Sequence, residues 1–219
     1  MKLPTIAGLA VSLGGVALLA SPAARVLGDP SSIQTRVLEQ LVLWLLLGLV
    51  LGIVLAWERA PLTSIGLKRG WARSLVLALV LGSAVVWLVS PLAMRFVAAL
   101  GIPSIASRVA QFAALPGWLK ILSVATAGIV EETLFRGYAL ERLAASLGSV
   151  WLAALLTWLT FTAVHWPAWG TGGVIVIACT GAAFTLFYVW QRDLLANVAA
   201  HVAVDAVGLI AVPLLWPRS

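Results

Sequence analysis

Four long stretches without a charged residue constrain the fold of this 219-residue chain more than any other feature of its sequence. Residues 3–24, 41–57, 74–94 and 143–191 contain no Asp, Glu, Lys or Arg. A helix that crosses a bilayer needs about 20 predominantly apolar residues, so the last stretch is long enough for two such helices. With 62% hydrophobic and 10% charged residues, the chain also has too little polar surface for a soluble domain.

These stretches predict an all-α fold, a polytopic membrane helix bundle with about seven transmembrane helices. A β-barrel is excluded because its strands alternate in polarity and are only about 10 residues long. The helix breakers in residues 166–173 (WPAWGTGG) separate the last stretch into two spans. We expect a single integral membrane domain, 1–219, with spans near 3–24, 37–57, 72–94, 117–140, 150–166, 172–191 and 194–216.

We interpret the net charge of +6 as a signal for the orientation of the chain in a membrane and not for binding to nucleic acid. Lys and Arg lie mostly in short loops, and such residues favour the cytoplasmic side of a membrane. The 58–73 loop carries four of them, which places the N-terminus inside and the C-terminus outside. We therefore expect a multi-pass membrane protein that contacts the lipid bilayer and binds no nucleic acid. The compactness of the chain and its lack of extra domains suggest a prokaryotic cytoplasmic membrane.

Apart from Lys120 near the start of a span, four charged residues and both histidines lie within the predicted spans of the C-terminal half. A charged residue at the centre of a span costs about 2.5–3.5 kcal/mol, so four unpaired ones would cost on the order of 10 kcal/mol. Such side chains must face the protein interior or a wet cavity. The set consists of Glu131, Glu132, Arg136, His165, His201 and Asp205.

The spacing of these residues predicts which of them meet. Glu132 and Arg136 are four residues apart, so they share a helix face and can form an ion pair. Glu131 points about 100° away from that pair and is free for another partner. Glu131 and His165 are each 17 residues from Gly148, so a helical hairpin that turns there brings both to the same depth.

The last predicted span carries a second polar stripe. His201 and Asp205 are four residues apart, and Asn197 extends their stripe by one turn. His201 lies nine residues past the turn predicted at 192–193, which places it at a shallower depth than Glu131 unless that turn lies deeper in the protein.

A carboxylate beside an imidazole can hold and deprotonate a water molecule, which is the general-base part of peptide hydrolysis. Glu131 with His165 fits this role. The tetrahedral intermediate needs a hydrogen-bond donor for its oxyanion, and His201, assisted by Asp205, can provide one. Water is the expected nucleophile, because no serine forms a nucleophile motif and the single cysteine, Cys179, has no charged neighbour in sequence.

Three motifs at these residues resemble one known family. Residues 131–136 (EETLFR) match EExxxR, residues 161–165 (FTAVH) match FxxxH, and residues 201–205 (HVAVD) match Hxxx(Asn/Asp). Together and in this order they are similar to the CAAX-processing and bacteriocin-processing (CPBP or Abi) family, which includes the type II CAAX prenyl endopeptidases. The resemblance covers about residues 115–215, so we expect the catalytic helices there.

The resemblance implies a glutamate-dependent intramembrane endopeptidase that acts on membrane-embedded or membrane-anchored proteins or peptides without a cofactor. In that family the positions of Glu131 and His165 activate water, and those of His201 and Asp205 line the oxyanion site. Asp205 is expected to orient His201, since an ionised carboxylate cannot donate a hydrogen bond. The expected supporting residues are Glu132, Arg136, Phe161 and Asn197.

Three alternatives compete with this interpretation. Glu131, His165 and His201 could bind zinc, although the usual HExxH motif does not occur in the sequence. The chain could be a catalytically inactive relative that acts as a scaffold or immunity protein. The polar residues could also form the relay of a proton-coupled transporter, although they lie only in the C-terminal half. The substrate stays open between prenylated CAAX proteins, bacteriocin-type leader peptides and C-terminal sorting signals.

Overall fold

A computed structural model describes residues 1–68 and 70–215 of the chain. Within these residues every regular element is helical and there is no β-strand, which confirms the all-α part of the predicted fold class. Two short 3₁₀ turns, Pro22–Leu27 and Leu62–Ile65, lie between the helices. The helices are α1 Leu3–Leu19, α2 Ile33–Trp57, α3 Trp71–Ala99, α4 Ala106–Ala113, α5 117–147, α6 Val150–Val164, α7 Trp166–Gln191 and α8 Leu194–Leu214.

Four of the described helices, α2, α3, α7 and α8, are long and apolar enough to cross a membrane. The apolar helices α1 and α6 are shorter, and α5 is long but carries the buried charges. Large side chains such as Leu79, Trp87 and Trp190 are exposed on the outside of the bundle, as expected for a surface in contact with lipid. The chain is therefore an integral membrane protein.

Each predicted span coincides with a helix, but several boundaries differ. Helix α5 continues to residue 147 rather than 140, and α7 begins at Trp166 rather than 172. Gly170 has φ 66°, so the first turn of α7 is offset from the rest of the helix close to the predicted start. Helix α4 was not predicted, because it is short and only partly apolar. Residue 216, the predicted end of the last span, lies outside the described residues.

Local capping explains where the site-bearing helices begin and turn. The Ser149 hydroxyl accepts a hydrogen bond from the Leu152 amide at 3.2 Å and caps α6, and the Asp193 carboxylate accepts one from the Ala196 amide at 3.0 Å and caps α8. Gly148, with φ 67°, ends α5 in the left-handed conformation. The predicted hairpin between α5 and α6 therefore turns at Gly148.

Helix α5 is the central helix of the site. Its residues from Thr133 to Leu140 are all buried, and wide π-type turns occur over Ala127–Glu131 and Thr133–Leu140. It packs against α2, α6 and α8. Gly128 permits the closest approach, since a Cβ atom there would lie 2.3 Å from Cγ2 of Val202 on α8. This glycine lets the helix that carries His201 lie directly against α5.

The turn between α7 and α8 lies deeper than the end of α5, which resolves the predicted offset of His201. Glu141 on α5 accepts hydrogen bonds from the Tyr188 hydroxyl, at 3.0 Å, and from the Arg192 guanidinium. Arg192 is thus level with Glu141. Because helices rise by about 1.5 Å per residue, nine residues of α8 bring His201 back to the level of Glu132, nine residues before Glu141.

Polar contacts close the bundle at this end. The Leu194 amide donates to the Gly66 carbonyl at 2.9 Å, and the Ser74 hydroxyl donates to the buried Asp193 carboxylate at 2.8 Å. On α5, Arg142 binds Glu58 through its Nε atom at 2.9 Å and its Nη2 atom at 2.7 Å. These contacts fix the 58–68 segment beneath α5, α7 and α8 and cover this end of the bundle.

Candidate active site

A cavity of about 490 Å³ is lined by residues of α2 to α8, at the opposite end of the bundle from the 58–68 segment. Its volume is within the usual range for ligand-binding pockets. All four predicted catalytic side chains line it: Glu131, His165, His201 and Asp205. The other polar lining residues include Arg36, Glu39, Gln40, Ser90, Arg108, Gln111, Ser123, Thr126 and Thr180.

Glu131 and His165 face each other in this cavity, as their equal distance in sequence from Gly148 predicts. His165 Nε2 lies 3.6 Å from Glu131 Oε2, and the two side chains are 17% and 16% exposed. The separation exceeds the length of a direct hydrogen bond, so a water oxygen placed beside both atoms can contact each of them. The pair is reachable from the cavity but largely removed from bulk solvent.

The end of α6 fixes the ring of His165. Its amide contacts the Thr162 carbonyl at 3.3 Å, so it does not continue the helical pattern to Phe161. His165 Nδ1 instead lies 2.6 Å from the Phe161 carbonyl, which can only accept a hydrogen bond. The proton therefore lies on Nδ1, and the other ring nitrogen, Nε2, is directed at Glu131.

Glu132 is the central residue of a buried hydrogen-bond network that joins α5, α7 and α8. Its carboxylate accepts hydrogen bonds from Arg136 Nη1 at 3.0 Å, from His201 Nδ1 at 2.8 Å and from Asn197 Nδ2 at 3.2 Å. The side chain is completely buried. The predicted ion pair with Arg136 is present, while the contact with His201 was not predicted.

Arg136 is 1% exposed and finds partners on two neighbouring helices. Its Nη2 donates to the Gly181 carbonyl at 3.2 Å, and its Nε donates to the Thr185 hydroxyl at 3.3 Å. The guanidinium also lies 4.2 Å from the ring centre of Phe161, which in turn contacts the His165 ring at 4.5 Å. Phe161 thus joins the buried ion pair to the ring that faces Glu131.

His201 has a carboxylate beside each of its ring nitrogens. The hydrogen bond to its ring comes from Glu132, whereas Asp205 Oδ2 lies 3.5 Å from Nε2, beyond a good hydrogen-bond distance. Phe184 stacks on the ring at 5.0 Å between centres. Asp205 is therefore an ionic neighbour of Nε2, and the contact of Glu132 with Nδ1 is the shorter of the two.

The cluster carries three carboxylates and one guanidinium. Glu131, Glu132, Asp205 and Arg136 together give a charge of −2 when all are ionised, in a region with little solvent. Two histidines, each beside a carboxylate, can offset this charge by binding protons. The arrangement is thus suited to hold and move protons.

The described residues contain no group of three or more His, Cys, Asp or Glu side chains arranged to hold a metal ion. The residues of the zinc alternative, Glu131, His165 and His201, line the same cavity but do not form such a group. Cys179 is exposed on the surface of α7 and is not part of the cavity lining.

Two parts of the site were missed at the level of the sequence. The Glu132–His201 contact joins residues 69 positions apart, and helical spacing gives no information about such a pair. The polar lining from α2, which comprises Arg36, Glu39 and Gln40, was assigned to the edge of a span. The spacing of these residues on one helix face was the available signal.

Residues 113–207 match the family model for type II CAAX prenyl endopeptidase Rce1-like proteins. This part of the chain is therefore similar to the Rce1-like family. The Rce1-like region extends from the end of α4 to α8 and includes all eight predicted site residues. The predicted resemblance to CAAX-processing proteases is thereby confirmed, and the family is one of peptide hydrolases. No curated protein and no solved structure matches the chain.

The Rce1-like region does not supply the whole cavity. Helices α1 to α3 lie before residue 113, and α2 contributes Arg36, Glu39, Gln40 and Leu43 to the lining. The wall opposite the predicted catalytic residues therefore comes from a part of the chain that the family match does not cover.

Proposed function

We propose that this protein is an intramembrane endopeptidase that hydrolyses peptide bonds of membrane-embedded or membrane-anchored substrates. The observation that carries the proposal is the Glu131–His165 pair, 3.6 Å apart at the wall of a cavity. The adjacent Glu132 has three protein hydrogen-bond donors and no exposed surface, so only Glu131 is free to act on a water molecule. We further propose seven membrane spans, formed by α1 to α3 and α5 to α8, in a prokaryotic cytoplasmic membrane.

In the first step, Glu131 takes a proton from a water molecule held between its carboxylate and His165 Nε2. The resulting hydroxide attacks the carbonyl carbon of the scissile peptide bond, and a tetrahedral intermediate with an oxyanion forms. His165 can remain in one orientation throughout, because the Phe161 carbonyl holds its Nδ1. Water is the only co-reactant required.

His201 is proposed to stabilise the oxyanion through Nε2. Because Nδ1 donates to Glu132, a proton is present on Nε2 only in the imidazolium form, and the neighbouring carboxylates of Glu132 and Asp205 favour that form. The 3.5 Å gap to Asp205 leaves the Nε2 proton available for an oxyanion. Glu132, Arg136, Phe161 and Asn197 would then act by positioning the rings.

In the second step, the proton on Glu131 passes to the leaving nitrogen as the carbon–nitrogen bond breaks. The products are a carboxylic acid and an amine, and transfer of the acid proton to the amine gives a carboxylate and an ammonium group. Atoms and charges therefore balance without a cofactor. The proposal assigns no role to a metal ion. Zinc held by Glu131, His165 and His201 is the alternative that direct metal analysis distinguishes.

The test uses membranes of cells that produce the full-length wild type or the Glu131→Gln variant. Quantitative mass spectrometry of peptide termini identifies cleavage products of membrane proteins. General-base catalysis contributes about 10²–10⁴-fold, so products present with the wild type should fall at least about a hundredfold in the variant. Glutamine matches glutamate in size, so the variant is expected to remain folded.

Asp29→Asn is the matched control, since it also removes one carboxylate. Asp29 is exposed in the loop before α2, and its carboxylate accepts hydrogen bonds from Ser31 alone among the described residues, so products should be unchanged. Equal products from the wild type and Glu131→Gln would overturn the endopeptidase mechanism. That result would leave the scaffold and transporter alternatives.

A further inference from the structure

An arginine and a glutamine in the first turns of α2 lack protein partners at the cavity. Arg36 and Gln40 are four residues apart, and both side chains line the cavity that contains Glu131. Arg36 Nε and Gln40 Oε1 are buried and have no hydrogen-bond partner among the described residues. Buried polar atoms are nearly always paired in native proteins, so this pair calls for an external partner.

Arg36 differs from the enclosed residues Arg136 and Arg142 in that its charge is not paired with a carboxylate in the described part of the chain. Arg136 and Arg142 each bind a carboxylate at 3.0 Å or less, whereas no carboxylate among the described residues forms an ion pair with Arg36. Glu39 lines the same cavity one turn away, beyond ion-pair distance. An arginine near the edge of a span without a paired carboxylate is unfavourable, and an anionic ligand would compensate for it.

The unpaired atoms indicate the chemistry of that ligand. The planar guanidinium of Arg36 fits a carboxylate through two parallel hydrogen bonds. Gln40 Oε1 is an acceptor, which suits a backbone N–H next to such a carboxylate. The nearby negative charge of Glu39 disfavours a dianion such as phosphate. The set therefore matches a peptide that carries a single carboxylate.

The depth of these residues gives the distance to the predicted catalytic pair. Trp44 Nε1 on α2 donates to the Thr126 hydroxyl on α5 at 3.0 Å, and both helices run away from the cavity mouth. Glu131 lies five residues beyond Thr126, while Gln40 and Arg36 lie four and eight residues before Trp44. With a rise of about 1.5 Å per residue, Gln40 and Arg36 are about 14 and 20 Å from the depth of Glu131.

We propose that Arg36 and Gln40 form a substrate subsite that binds a peptide carboxylate and so positions the scissile bond at Glu131. This inference rests on the proposed endopeptidase function. An extended chain spans about 3.3–3.6 Å per residue, so the carboxylate lies about four to six residues from the scissile bond. The carboxylate is either the free C-terminus of the substrate or an acidic side chain at that distance.

The binding test uses the full-length Glu131→Gln variant in detergent micelles and three fluorescein-labelled peptides of Leu, Ala and Val. One peptide has a free C-terminal carboxylate, one has a C-terminal carboxamide, and one has the carboxamide and a single Asp near its end. A charged hydrogen-bonded pair supports about a tenfold to hundredfold difference in Kd, so the acid peptide should bind tighter than the amide by that factor.

When Arg36→Gln is introduced into the Glu131→Gln variant, the preference for the acid peptide is expected to disappear. Gln40→Leu in the same variant is expected to weaken the binding of all three peptides. Arg95→Gln is the matched control, because it removes the same charge from an exposed residue of α3 outside the cavity lining. It should leave the preference intact. The Asp peptide identifies the source: tight binding assigns the carboxylate to a side chain, and weak binding assigns it to the free C-terminus.

Equal Kd values for the acid and amide peptides, or a preference that Arg36→Gln leaves unchanged, would overturn the subsite. The two proposals can fail separately. If the acid preference depends on Arg36 but the wild type cleaves none of the peptides, then carboxylate binding by Arg36 stands, and the endopeptidase function on which its role as a substrate subsite rests is contradicted. If the wild type cleaves acid and amide peptides with equal kcat/KM, then only the subsite is wrong.

Discussion

Replacement of Arg136 with methionine is expected to lower the free energy of unfolding by about 3–5 kcal/mol, since it leaves a buried carboxylate without its counter-ion. The variant loses the ion pair with Glu132 and the hydrogen bonds to Gly181 and Thr185. Glu132 keeps two donors, Asn197 and His201, so the loss should lie toward the lower end of this range.

Glu132→Gln should be the more damaging single change. Arg136 is only 1% exposed, and without Glu132 its guanidinium charge keeps only neutral acceptors and the face of an aromatic ring as partners. The double variant removes both charges. Its loss should therefore be smaller than the sum of the two single losses, by about 0.5–3 kcal/mol as is usual for residues in contact.

Thermal unfolding in detergent, followed by the fluorescence of the chain's 11 tryptophans, measures these differences. For a chain of this length each kcal/mol shifts Tm by about 2–4 °C, so a loss of 3–5 kcal/mol corresponds to about 6–20 °C. A double variant whose loss equals the sum of the single losses would refute a direct Glu132–Arg136 interaction. So would an unchanged Tm in either single variant.

Three further predictions address packing, the oxyanion side and metal. Gly128→Ala should lower the free energy of unfolding by about 1–3 kcal/mol and reduce cleavage, because its Cβ would displace α8 and hence His201. Gly48 has open space around it, so Gly48→Ala should change neither thermal unfolding nor cleavage. Asp205→Asn should keep substantial kcat, and complete loss would reveal a proton-transfer role for the carboxylate. Chelator-treated protein should remain active with no stoichiometric zinc by elemental analysis, and a zinc requirement would refute the metal-free mechanism.

The sequence carried enough information for the fold class and for the contacts that depend on helical spacing. The length of the apolar runs predicts helices, and four-residue spacing predicts the pairing of Glu132 with Arg136. The equal distance of Glu131 and His165 from Gly148 predicts their common depth, because a tight hairpin keeps two helices in register.

Contacts between helices that are distant in sequence could not be predicted in this way. The position of His201 depends on the depth of the turn at Arg192, which is set by its contact with Glu141 on another helix. Helix α4 also escaped prediction, since eight residues give too short a periodic pattern. Counting residues from a tight turn predicts the relative depth of residues on two adjacent helices. It fails where contact with a third helix sets the depth of the turn.

The distribution of partners around α5 has a consequence for the biosynthesis of the protein. The helix carries Glu131, Glu132 and Arg136, and their partners on other helices come later in the chain. His165, the partner of Glu131, follows it by 34 residues, and the residues of α7 and α8 that bind Glu132 and Arg136 follow by about 45–70 residues. A helix with three charges is a poor candidate for stable insertion by itself. The nascent chain must therefore keep α5 out of lipid until the last helices emerge from the ribosome, and a chain truncated after residue 170 should show α5 outside the bilayer by glycosylation mapping.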